Sequence, residues 1–148
     1  MKRFLNPFRL ASYLLVLFTL GHTFGAVVPV PRFGPASDAV VAAMQSVHVR
    51  VQGADCNWYG FYRGFGWFVS IYLVLASYIA WKLGGMDERQ RVAAMPFAWA
   101  LLLAQAATIP LAFIYFFAAP RVFTSAITLV LGIACVRELT RRKSRSSP

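Results

Sequence analysis

Three polar side chains stand where the sequence is otherwise apolar: His22, Arg63 and Gln105. An ionisable group within a membrane-length apolar run is costly and points to function by default. An imidazole changes charge near neutral pH and can donate, accept or carry a proton. A guanidinium presents a fixed fork of donors to phosphate or carboxylate. At 1.5 Å per helical residue, His22 lies about 9–12 Å and Arg63 about 5–9 Å from the same end of two consecutive antiparallel runs. The two therefore share one layer. Tyr59 and Tyr62 add phenols beside it, Thr128 reaches a similar depth from the last run, and Gln105 lies deeper. Together these six residues are expected to line a polar pocket, with Arg63 pairing an anionic head group and His22 giving or taking a hydrogen bond.

The same residues allow a membrane enzyme of isomerase or transferase type, in which His22 would shuttle a proton while Arg63 stabilised developing negative charge. A small transporter is the least favoured class. The apolar runs hold no acidic residue, whereas proton-coupled transport commonly uses intramembrane carboxylates. Each polar residue also has a plainer reading. The segment Trp58–Trp67 is dense in aromatics and glycine, as an interfacial belt with a Gly60/Gly64 helix contact would be. Arg63 either faces the bundle or snorkels to lipid phosphate. Most serines and threonines at helical spacing are packing residues in membranes. His48 and Asp55 are solvated loop residues or lie at the mouth of the pocket. Cys56 and Cys135 fall too far apart for a bridge. No Cys/His cluster has metal-ligand spacing, and no cofactor is implied.

Four apolar runs must position these groups: about 10–28, 57–83, 92–119 and 122–136. Of the 148 residues, 59% are hydrophobic and 14% charged, against about half and a quarter in soluble domains. One soluble core could not cover that much apolar surface. Runs of this length cross a bilayer as helices, because every backbone amide must bond within its own segment. Small and polar stripes on all four argue for an integral membrane four-helix bundle, all-α and a single domain. Pro29 and Pro31 close the first run, Gly84-Gly85 the second and Pro120 the third; Pro110 is expected to kink the third.

The net charge is +10, and eight of the fifteen cations lie at the ends: Lys2, Arg3 and Arg9 at one, and Arg137, Arg141, Arg142, Lys143 and Arg145 at the other. They flank apolar runs rather than form a nucleic-acid stripe, so nucleic acid is not expected. With both termini inside, eleven cations lie inside and four outside, which fits a bacterial inner-membrane protein with cytoplasmic termini. An A-x-A-like cleavage site is missing after the first run, so it reads as an anchored helix. In the external loop 29–56, Ser37 can cap a helix, and Val40, Met44 and Val47 recur at helical spacing, predicting a short amphipathic helix from Asp38 to about Val49. The basic tail 140–148 is expected to be disordered.

Gly21-His22-Thr23-Phe24-Gly25, taken with Phe61-Tyr62-Arg63-Gly64-Phe65-Gly66, resembles a family of small bacterial four-span inner-membrane proteins. The resemblance covers most of the chain and implies the four-span fold, but no activity. In size and basicity the chain is also similar to the small four-span enzymes of eicosanoid and glutathione metabolism. It lacks their Glu-Arg…Asn pattern in the second span, so that activity does not carry over. The expected partners are membrane lipids, a lipid-like small molecule, and a second copy or another membrane protein.

Overall fold

A computed structural model describes residues 6–28 and 33–146. Pro29, Pro31, Lys2, Arg3 and Arg32 lie outside the described residues. The protein is all-α in class, built on four helices long and apolar enough to cross a membrane: Pro7–Val27, Trp58–Gly85, Met95–Tyr115 and Ala118–Arg141. At most a third of each apolar window is buried. The outward residues are large and apolar, among them Phe65, Phe68, Ile71, Phe97, Leu103, Ile114 and Leu129. Many of the buried ones are small or polar, among them Ala11, Ser12, Ala76, Ala80, Ala98 and Ala134, beside a few large ones such as Leu15, Ile127 and Leu131. Small residues inside and large apolar residues outside is the order expected when lipid is the solvent. The chain is a multi-pass membrane protein.

The elements run in chain order. α1 (Pro7–His22) continues as a single π-helical turn, Thr23–Val27. α2 (Pro35–Ser46), β1 (His48–Val51) and β2 (Ala54–Asn57) follow. Then come α3 (Trp58–Gly85), α4 (Glu88–Ala93), α5 (Met95–Tyr115) and α6 (Ala118–Ser146). The chain divides into two compact units, residues 19–72 and residues 1–18 with 73–148.

Within residues 19–72, the expected loop helix forms, but it starts at Pro35 with Gly34 rather than Ser37 at its N-cap, and stops at Ser46, three residues short of the predicted end. The chain then turns into an antiparallel hairpin, with Val49 opposite Cys56 and Val51 opposite Ala54. Gln52 and Gly53 both have positive φ (51° and 86°). That is the twist a two-residue hairpin turn requires. Val47 and Val51 stand at helical spacing, whereas Val47, Val49 and Val51 also alternate as in a strand. Tertiary pairing with Ala54–Asn57 decides between them. Asn57 caps α3, its Oδ1 accepting from the Gly60 amide at 2.7 Å.

Within the other unit, α1 begins at a cap in which Asn6 Oδ1 accepts from the Phe8 amide at 2.9 Å. Ser12 then donates to the Ser77 carbonyl at 2.9 Å, joining α1 to the later part of α3. Gly84 and Gly85 end the second span as expected, as the last two residues of α3. A Cβ on Gly84 would meet Arg9 Cγ at 2.7 Å and the Arg9 backbone nitrogen at 3.0 Å. The glycines are there because α1 passes close by, with the Arg9 guanidinium lying 3.4 Å over the Trp81 ring.

The third span is α5 alone, preceded by the short helix α4 in the second loop. Asp87 and Gln90 form a reciprocal capping box that starts α4, and Pro96 lies in the first turn of α5, where its missing N–H is least costly. α5 is continuous through Pro110. It ends at Tyr115, so the turn is Phe116-Phe117, and Pro120 opens the fourth helix rather than closing the third. α5 and α6 pack along their length through Ala98, Leu101, Gln105 and Ala112 on one side and Thr124, Ile127, Leu131 and Ala134 on the other. The fourth helix does not stop at Val136. It runs to Ser146, and the disorder expected from residue 140 is corrected for that stretch. Buried Glu138, just past the apolar run, is held to Arg91 and Arg141.

Candidate functional site

His22 is the last residue of α1 before the π-helical turn. Its Nε2 lies 3.0 Å from the Gly66 carbonyl oxygen on α3. A carbonyl has no hydrogen to give, so Nε2 is the donor in this bond. The same carbonyl takes a bond from Ser70 Oγ at 3.2 Å, and Ser70 Oγ is 2.8 Å from Thr23 Oγ1. With the Ser70 proton on Gly66, Thr23 is the donor to Ser70. Gly66 thus gathers an imidazole and a hydroxyl relay onto one carbonyl. Its lack of a side chain permits this: a Cβ there would come within 2.9 Å of Val27 Cγ2, in the π-helical turn. The extra residue of a π turn rotates the side chains beyond it to a new face, and such turns often mark functional sites.

Arg63 lies three residues before Gly66 on α3, on the face that continues through Ser70. It is half-buried. Its guanidinium carbon is 5.9 Å from the centre of the Tyr59 ring, one turn earlier. Its Nε is buried without a hydrogen bond, and among the described residues no carboxylate pairs with it. Tyr62 is exposed. His48 and Asp55 bind each other across the hairpin, Nδ1 to the carboxylate at 3.1 Å, with both side chains more than half exposed.

Gln105 and Thr128 belong to the other unit. Gln105 is fully buried on α5. The Thr128 hydroxyl donates to the Thr124 carbonyl one turn back at 2.8 Å, and Thr108 does the same to Gln105 at 2.7 Å. These threonines satisfy themselves on their own helices, the packing role that serines and threonines take in membranes.

Sequence reasoning missed two features. The first is the Gly66–Ser70–Thr23 relay, although Gly66 and Ser70 stand at i, i+4 and Thr23 adjoins His22. The second is Glu138. Arg91 Nη1 lies 3.1 Å and Arg141 Nη1 3.2 Å from its Oε1, and Arg91 Nη2 donates to the Met86 carbonyl at 2.8 Å. A lone acidic residue among five tail cations was the available signal.

Comparison with family models, with curated proteins and with solved structures gives no match to this chain.

Proposed function

We propose that this protein sits in a bacterial inner membrane with both termini cytoplasmic and binds a lipid or amphipathic small molecule through an anionic head group at Arg63. The supporting observation is the state of Arg63. A guanidinium lies inside an apolar span, carries a buried Nε without a partner, and is flanked by the Tyr59 ring. The chain has five carboxylates, and the nearest in sequence, Asp55, is occupied by His48. An uncompensated cation in a span needs an anion, and phosphate or carboxylate head groups are the anions a bilayer offers.

His22 supports binding rather than acid–base chemistry. Its donor nitrogen Nε2 is taken up by the Gly66 carbonyl, a bond that fixes α1 against α3 and so holds Arg63's helix in place. Gly21 and Gly25, with open space over them, supply a face on which a second copy or a membrane partner would pack, the accessory-subunit form of this reading.

The test is lipid retention by the detergent-purified protein, read by native mass spectrometry. The wild type is expected to carry an anionic lipid or amphipath. Arg63→Gln loses it, Arg63→Lys keeps part of it, and His22→Gln keeps it. Bulk contact between a snorkelling arginine and phosphate does not survive extraction. Equal retention by Arg63→Gln and the wild type would therefore overturn the reading.

A further inference from the structure

A second cationic site stands far from Arg63 in sequence, where α1 begins and α6 leaves its apolar run. Arg91, Arg137, Glu138 and Arg141, with Asn6 and Phe8 from the start of α1, line a cavity of about 260 Å³. Three guanidinium groups face one carboxylate. Glu138 is buried and already accepts from Arg91 and Arg141. The positive charge left over is considerable: Arg137 has no ion-pair partner among the described residues, and Arg91 Nε is buried without a hydrogen bond. The amino end of α1, a helix of 16 residues, adds the positive end of its dipole to the same wall.

From this arrangement we infer that the cavity is a binding site for a phosphate group. Arg137 and Arg141 are the exposed ligands, Arg91 is the half-buried one, and Glu138 is the positioning residue that holds Arg91 and Arg141 in place. Guanidinium forks match phosphate oxygens in pairs, and the excess of cations over Glu138 leaves the cavity complementary to an anion. Both a phospholipid head group and a soluble phosphate present this chemistry. The inference is independent of Arg63, whose own test reads a different site.

The experiment uses delipidated full-length protein in detergent, with two probes: phosphatidylglycerol against phosphatidylcholine, and inorganic phosphate. The wild type is expected either to retain phosphatidylglycerol over phosphatidylcholine in native mass spectra, which assigns the site to lipid, or to gain thermal stability with inorganic phosphate, which assigns it to a soluble anion. Arg137→Gln, an exposed position without an ion pair among the described residues, should weaken whichever response is seen by about tenfold or more, the worth of one charge-assisted hydrogen bond. Arg141→Gln should do the same. Arg89→Gln on α4 removes an equal charge away from the cavity and should leave the response unchanged. No preference for either probe, or equal losses in Arg137→Gln and Arg89→Gln, would overturn the inference.

Discussion

His22 Nε2 donates to the Gly66 carbonyl oxygen across 3.0 Å, joining the end of α1 to the first half of α3 through a carbonyl that also takes the Ser70 hydroxyl. A hydrogen bond between membrane helices averages about 0.6 kcal/mol and reaches about 1.7. His22→Leu is therefore expected to lower stability in detergent by roughly 1 kcal/mol. His22→Gln keeps an N–H at similar reach and should recover at least half of that loss. Thermal unfolding of the three proteins checks this. A leucine variant as stable as wild type would show that the bond contributes nothing.

Glycine identity matters at Gly66 and not at Gly64. A Cβ at Gly66 would press on Val27 Cγ2 at 2.9 Å, whereas nothing lies within 4 Å of one at Gly64. Gly66→Ala should destabilise by about 1–3 kcal/mol, as overpacking does. Gly64→Ala should be neutral or slightly stabilising through helix propensity. Adding Val27→Ala to Gly66→Ala should restore part of the loss, since the new methyl then fills the space vacated. A double-mutant cycle in thermal unfolding reads the coupling directly. Additive effects would mean that the two sites do not touch.

Much of the frame was legible because a bilayer imposes simple rules. Four apolar runs became four helices, since length and the demand for internal backbone bonding leave no alternative. The boundaries were less legible. Gly84-Gly85 read as a stop and do end α3, yet only the approach of Arg9 explains both glycines. Pro120 read as an end and is a beginning, because proline suits a first turn as well as a termination. The hairpin after Ser46 is set by pairing between segments, which periodicity in one segment does not reveal. At the candidate site the rare polar residues were found by their cost in lipid. Their partners were missed because a backbone carbonyl, the acceptor His22 uses, has no signature in sequence.

The Arg91–Glu138 pair is the costliest to cut. Their side chains are only 14% and 8% exposed. Removing one member of a buried pair leaves the other charged and unsatisfied, a loss of about 3–5 kcal/mol. Glu138→Ala should approach the upper part of that range, since two arginines lose their carboxylate together. The double variant Arg91→Met with Glu138→Leu should be markedly more stable than Glu138→Ala alone, because no charge is left stranded. Unfolding midpoints of these proteins decide the matter. Glu138→Ala with an unchanged midpoint would mean that the pair is open to water.

Orientation is decided by thiol labelling, but not with the native cysteines alone. Cys135 is fully buried, so its failure to react would carry no information about sides. Exposed positions in the two connecting segments serve better: Ala39 on α2 and Arg89 on α4. In a chain with Cys56→Ser and Cys135→Ala, an impermeant maleimide added to intact bacterial cells should label Ala39→Cys and spare Arg89→Cys until the membrane is permeabilised. Both cytoplasmic termini are implied by that pattern, since the first and second loops lie on opposite sides of α3. The reverse pattern would place the eleven cations outside, against the charge asymmetry that orients membrane helices. It would also move the Arg63 layer to the cytoplasmic leaflet, where anionic lipid is abundant, and the search for its ligand would begin there.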